Sequence, residues 1–278
     1  MSGRGAPAGA EAGPAHAGEW RGRPLGARTV SYDDTRPIMY ALAVGARATD
    51  LDLVFEERLR VLPGFALTLA QWAPDALGSA GAFDVTTAVH GTQRLRVLKP
   101  LPRSGAVEMS ARVGEVWDKG KAAVFDVVVE SDYFEAAWSL FAPGRGGFGG
   151  ERGPSARRRP EAAPDRTLAV RTAPDQAALY RLLGDRHHMH IDPEAAKAAG
   201  MPRPFMHGLC TLAAITLPLA GALGVHPADL AELEGRFASP VFPGDELRVD
   251  VWQDGGGVLF EAAVDDRTVI SSGLARFA

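Results

Sequence analysis

One cysteine, Cys210, occurs in 278 residues, so no intrachain disulfide can form and the chain suits a reducing compartment. Apolar runs are short of the roughly 20 residues that a membrane span needs. Charge of one sign is also scarce. With 30 Lys and Arg against 34 Asp and Glu, the net charge of −4 gives no electrostatic case for nucleic acid as a partner. The N-terminal stretch MSGRGAPAGAEAGPAHAGEWRGRPLG has no apolar core of signal-peptide length, and the C-terminal GLARFA carries no peroxisomal address. A cytoplasmic protein is expected.

Hydrophobic content of 46% and charged content of 23% are those of a globular protein, and the length suffices for a sizeable core. Two stretches rich in Gly, Pro and Arg punctuate the chain. Residues 1–28 read as a disordered lead. Residues 143–164, including GRGGFGGERGPSARRRPEAAP, read as a solvated linker whose basic cluster is Arg157–Arg159. They leave one half at 29–142 and another at 165–278.

The halves resemble each other. RVLKPLPRSGAVEMSARV lies beside RFASPVFPGDELRVDVW, with Pro100 matching Pro240, and LPGFALTLA lies beside MHGLCTLAA, with Gly64 matching Gly208. Each half thus has a Gly-led apolar helix, a Pro-bearing turn and alternating strands, as a duplicated unit would. FDVTTAVHG, AVEMSARVGEVW, KAAVFDVVVES and YFEAAWSLFA are the strands expected in the first half. DELRVDVWQ, GVLFEAAVDD and RTVISSGLAR are those expected in the second. MHGLCTLAAITLPLAGALG contains no Asp, Glu, Lys or Arg, so as a helix it has no polar face and must be wrapped by its sheet. Pro218 is expected to kink or end it.

Between these elements lies YRLLGDRHHMHIDPEAAKAAG. His187, His188, His190 and His207, four of the seven histidines, fall within 21 residues. Asp175 can cap a helix that Gly184 ends, and Asp192 can cap a second helix with Pro193 at its first position. Asp185 and His190 then share one short loop pinned at both ends. A carboxylate and an imidazole facing one water can divide acid–base work between them. The same run can suggest a metal site, but it lacks a helical His-x-x-x-His pair, and no metal is expected.

In series, YRLLGD, the His190 and DPEAAKAAG segment, PFMHGLCT and RFASPVFPGDELRVDVW resemble the hydratase 2, or MaoC-like, family of (R)-specific enoyl-CoA hydratases. IMYALAVGA, LPGF, VHGTQRLRVLKPLPRSG, DKGKAAVF and SLFAPGRGGFGG resemble the non-catalytic half of its two-domain, eukaryotic-type form. The resemblance spans roughly residues 31–277. It implies an α+β double hotdog fold, two antiparallel sheets each wrapping a long helix. It also implies reversible hydration of a trans-2-enoyl-CoA, or of the corresponding carrier-protein thioester, in fatty acid metabolism.

That chemistry needs no cofactor beyond the CoA of the substrate, and no nucleic acid or membrane partner; a homodimer is compatible with it. The family's motif puts the catalytic pair at Asp185 and His190 and the oxyanion-binding amide at Gly208, the first residue of the wrapped helix. The first half, with Leu62-Pro63-Gly64 at the equivalent place, would house the acyl tail. Tyr180 supports the loop. Two readings of His207 stay open, helix cap and substrate shaping. Cys210 reads as core. Where the family has Asn-Pro this chain has His187-His188, and His187 is expected beside the water site. An alternative follows from that departure: an acyl-thioester binding module without turnover.

Overall fold

Alternation of buried and exposed side chains turns most of the apolar segments into strands. Residues 15–278 are described by the computed structural model. The first half holds β1 (Pro24–Tyr32), α1 (Thr35–Ala43), α2 (Leu51–Val54), α3 (Phe65–Ala70), α4 (Trp72–Ser79), β2 (Val89–Val97), β3 (Gly105–Asp118), β4 (Ala122–Ser131) and β5 (Phe134–Pro143). The second holds β6 (Arg166–Arg171), α5 (Gln176–Tyr180), α6 (Pro193–Ala198), α7 (Gly208–Leu223), β7 (Leu230–Phe237), β8 (Glu246–Asp254), β9 (Gly257–Val264) and β10 (Arg267–Phe277).

These strands join one sheet in the order β1-β3-β4-β5-β2-β7-β10-β9-β8-β6, each pair antiparallel. Read outward from the centre, the two halves have the same order, so the duplication seen in the sequence is a pseudo-twofold arrangement in space. The seam is β2 against β7. Its register sets Arg94 opposite Glu234, Leu95 opposite Leu233 and Arg96 opposite Glu232. Both leucines are buried while the charges face outward in complementary pairs. This is the expected double hotdog, except that the two expected sheets are continuous through the β2–β7 seam as one.

Each half wraps a helix that follows its glycine. In α7 every side chain from Leu209 to Thr216 is buried, as a helix without a polar face requires. Pro218 does not end α7, which runs on to Leu223 and stops at Gly224 in the left-handed region, φ 72°. The sheet holds the turn beyond the proline, where Leu219 and Ala220 are buried. Pro74 stands at the same distance from Gly64 as Pro218 from Gly208. It withholds the N–H that Ala70 would accept, and there the first-half helix divides into α3 and α4.

Several expectations need correction. The disordered lead is partly outside the described residues, but from Ala15 onward the chain has defined structure. Trp20 is buried in a short turn, and β1 pairs with β3 from Pro24. β1 is an edge strand with hardly any buried side chain, so it shows no hydrophobic period. FDVTTAVHG is mostly turn; the strand is β2, which begins at Val89. Residues 144–165 carry no helix or strand, as a linker should, yet they are fastened to the sheet. The Asp118 carboxylate accepts from the amides of Gly147 (2.9 Å) and Gly149 (2.8 Å). Trp252 Nε1 donates to Ala162 O at 2.9 Å, and Ser272 Oγ donates to Arg157 O at 2.8 Å. The basic cluster is also engaged, Arg157 with Glu234 and Arg159 with Glu261.

Candidate active site

The loop between α5 and α6 is built by local chain chemistry. Gly184, at φ 147°, turns the chain where other residues would be strained, and a Cβ there would lie 3.3 Å from Thr68 O in α3. The first half also grips this turn from outside, since Arg36 Nη2 donates to Leu183 O at 3.3 Å. At the far end Asp192 accepts from Glu194 N at 3.0 Å and Pro193 occupies the first helical position, as expected. Asp175 makes no side-chain cap; Gln176 instead turns back to accept from Ala173 N at 2.9 Å.

At this loop the expected residues come together, Asp185 and His190 from the loop itself and His207 from the start of α7. Asp185, His190 and His207 each place a carboxylate oxygen or ring nitrogen within 4.8 Å of the others'. His190 Nδ1 lies 2.9 Å from Phe205 O. A carbonyl only accepts, so Nδ1 carries the proton and Nε2 is left with a free lone pair. Burial lowers the pKa of His190, against the raising effects of Asp185 and the Phe205 bond. At neutral pH it is an unprotonated base.

Asp185 is ionised. Burial alone would raise its pKa, but the His187 hydrogen bond and the neighbouring imidazoles of His207, His187 and His190 hold it well below the usual range. His187 lies beside the pair, as expected from the motif. Its Nδ1 is 2.5 Å from Asp185 Oδ1, and its backbone N–H reaches the same oxygen at 3.2 Å. The carboxylate in turn raises the pKa of His187. His188 is exposed on the loop's outer side.

His207 does not cap α7 with its side chain. Its Nε2–H donates to Asp185 O at 3.1 Å, and its ring stacks on His190 with centroids 3.7 Å apart. Burial lowers its pKa to about 3, so it is neutral. Tyr180, buried, packs behind His207 at 5.0 Å, in keeping with support of the loop. Gly208 opens α7, where the first N–H groups have no intrahelical acceptor. The Phe237 ring closes over it: a Cβ at 208 would meet that ring at 2.9 Å. Cys210 is buried, and burial raises its pKa far out of the nucleophilic range.

The cluster of Asp185, His190 and His207 is a loose match to a metal site, with His207 in place of the loop's other histidines. The two rings lie 30° from parallel, and each holds one nitrogen on a backbone carbonyl while the other stays open.

Two nearby residues carry no signal in the motif. Asp75, the one acid in the apolar α3–α4 run, shares His187 electrostatically with Asp185, and its own pKa is raised by burial. His90 on β2 packs edge-on against Phe237 at 4.7 Å, and burial lowers its pKa to about 4. The His90-Gly91 doublet, echoing His207-Gly208, is the one sequence feature that could have pointed to it. A cavity of about 630 Å³ lies away from the pair, bounded by the loop after α1, by β6 and by α7. Tyr40, 140 residues before Tyr180, fills the first half's version of the site, its hydroxyl standing where a Gly64 Cβ would need room.

Comparison with known proteins agrees with this division. Residues 155–273 match the MaoC like domain, and residues 30–141 match the MFE-2 hydratase 2 N-terminal domain. An enoyl-CoA hydratase of Mycobacterium tuberculosis is 37% identical, with 88% of this chain and 92% of that protein covered. A 3-hydroxyacyl-thioester dehydratase of the same organism is 34% identical over 84% of this chain and 86% of its own. Among solved structures, a MaoC-like dehydratase from Phytophthora capsici superposes with a TM-score of 0.83 at 27% identity, covering 92% of this chain and 96% of that one.

Proposed function

Because the chain belongs to the MaoC-like dehydratase family, in the two-half form with a hydratase 2 N-terminal domain, we propose that it hydrates trans-2-enoyl thioesters reversibly to (3R)-3-hydroxyacyl thioesters. The observation that carries the reading is the convergence of an ionised Asp185 and a neutral His190 on one pinned loop. The loop stands beside the first turn of α7.

Asp185 accepts a hydrogen bond from one O–H of a water, and His190 Nε2 takes the proton of the other. The water oxygen bonds to C3, and the C2–C3 π pair moves to C2 and the thioester carbonyl. The charge developing on that oxygen is met by the Gly208 N–H. The proton held by His190 then passes to C2, completing addition of H and OH. Nothing is oxidised or reduced, so the step needs no redox cofactor, and Asp185 to orient the water with His190 to carry the proton accounts for both hydrogens of the water. The thiol is CoA or a carrier protein, and the acyl tail extends toward the first half.

The contact of His187 with Asp185 Oδ1 favours a second reading, in which the carboxylate is occupied and the protein binds thioesters without turnover. The ultraviolet absorbance of crotonyl-CoA and longer enoyl-CoAs distinguishes them. It falls with time on the hydratase reading. A flat trace at every chain length, with binding seen by calorimetry, would establish the binder instead.

His187 also sets a pH dependence. While charged, it weakens Asp185 as a hydrogen-bond acceptor for the water; as pH rises through its elevated pKa, that hold is lost and activity climbs. His187→Asn should therefore keep or raise hydration on the acid side and flatten the profile of kcat/KM against pH. Loss of activity at every pH would show that His187 itself transfers a proton.

A further inference from the structure

Resting on the hydratase reading, we propose that His207 is the positioning residue that registers Asp185, His190 and Gly208 to one another. Three contacts carry this. The Nε2–H of His207 donates to the backbone carbonyl of Asp185 at 3.1 Å, which fixes where the carboxylate starts. The ring stacks on His190 at 3.7 Å, which fixes the plane of the base. The next residue in the chain is Gly208, whose N–H opens α7. One buried side chain therefore touches the backbone of Asp185 and the ring of His190, and it adjoins the oxyanion donor.

The arrangement is not explained by packing alone. His207 is 2% exposed, and its Nδ1 has no hydrogen-bond partner among the described residues. Leaving a buried polar atom unpaired is unfavourable, and an apolar ring would avoid it. Nor does the imidazole serve as a helix cap, since it makes no side-chain cap bond. What an apolar ring cannot supply is the donor to Asp185 O. The alternative donors, amide side chains, cannot supply the stack. Imidazole does both.

The other titratable groups around His190 are Asp185 and His187 on its own loop. His207, buried and neutral, is the group that covers one face of the ring. Removing the stack would let water reach His190 and relax its depressed pKa upward, moving the acid limb of the pH profile to higher pH.

Two substitutions separate the contacts. His207→Phe keeps an aromatic ring against His190 and loses the donor; His207→Gln keeps a donor and loses the stack. Each should lower kcat by about tenfold to a hundredfold with little change in KM, the scale expected when reacting groups are misplaced. His207→Gln should also shift the acid limb upward, which a purely structural fault would not do. Thermal unfolding checks that the variants are folded; should His207→Gln fail to fold, the kcat of His207→Phe decides alone. Either folded variant within about twofold of wild-type kcat, with the acid limb unmoved, would overturn the proposal.

Histidine-selective NMR keeps this test separate from the reading beneath it. An inactive wild-type protein would sink the hydratase reading, and the His190 pKa would then decide: raised in His207→Gln it supports positioning, unchanged it refutes it.

Discussion

Asp185→Asn and His190→Ala should each lower turnover of enoyl-CoA by a hundredfold or more, on the order expected for losing an acid–base group. The reasons differ. Asparagine keeps the shape of Asp185 and its capacity to accept from His187, but it removes the negative charge that, on the proposed mechanism, orients the water and stabilises the proton on His190. Alanine at 190 removes the free Nε2 lone pair and also the bond to Phe205 O, so the loop loses a tether as well as a base. Stability should follow the opposite order. Asp185→Asn should unfold near the wild-type temperature, while His190→Ala opens a gap against Phe205 and His207 and should unfold earlier. Rates of crotonyl-CoA hydration, normalised to folded protein, measure the first effect, and thermal unfolding measures the second. A rate within about threefold of wild type in either variant would remove that residue from the mechanism.

These positions were legible because the segments around them resemble the hydratase 2 family in series; the turn and cap signals at Gly184, Asp192 and Pro193 said only that Asp185 and His190 share one short loop. The helix α7 was legible because an apolar segment without a charged residue has few places to go. What stayed hidden is non-local. β1 and the seam strand β7 announce themselves poorly, since β1 buries almost nothing and β7 takes its meaning from the Arg residues opposite on β2. The Gly-rich linker looks solvated until Asp118, from another strand, is found accepting its amides. Asp75 and His90 reach the site from the other half, and no motif around them says where that half packs. His207 looks like part of its own helix, whereas its partner lies 22 residues back in the chain.

The other large effect belongs to Gly208. A methyl group there would meet Cδ1 and Cε1 of Phe237, both at 2.9 Å, closer than carbon atoms pack. Phe237 cannot simply swing aside, because His90 lies against it at 4.7 Å. Gly208→Ala should therefore force the ring or the helix start to shift and put a methyl where the thioester oxygen must approach. Ala is the better helix former by about 1 kcal/mol, which offsets part of an overpacking cost of about 1–3 kcal/mol. The variant should thus stay folded and keep its N–H, yet with the oxyanion held off that N–H it should still lose on the order of a hundredfold in kcat, the scale of a lost oxyanion contact. Gly64→Ala tests whether the effect is catalytic or merely steric. Its Cβ would run into the Tyr40 hydroxyl, a worse clash, and Tyr40 is almost wholly buried. Yet no catalytic pair faces Gly64. Gly64→Ala should lower the unfolding temperature more than Gly208→Ala does, while each folded molecule retains most of its turnover. If the two glycines instead behave alike, losing activity only in proportion to stability, the Gly208 amide is not the oxyanion donor.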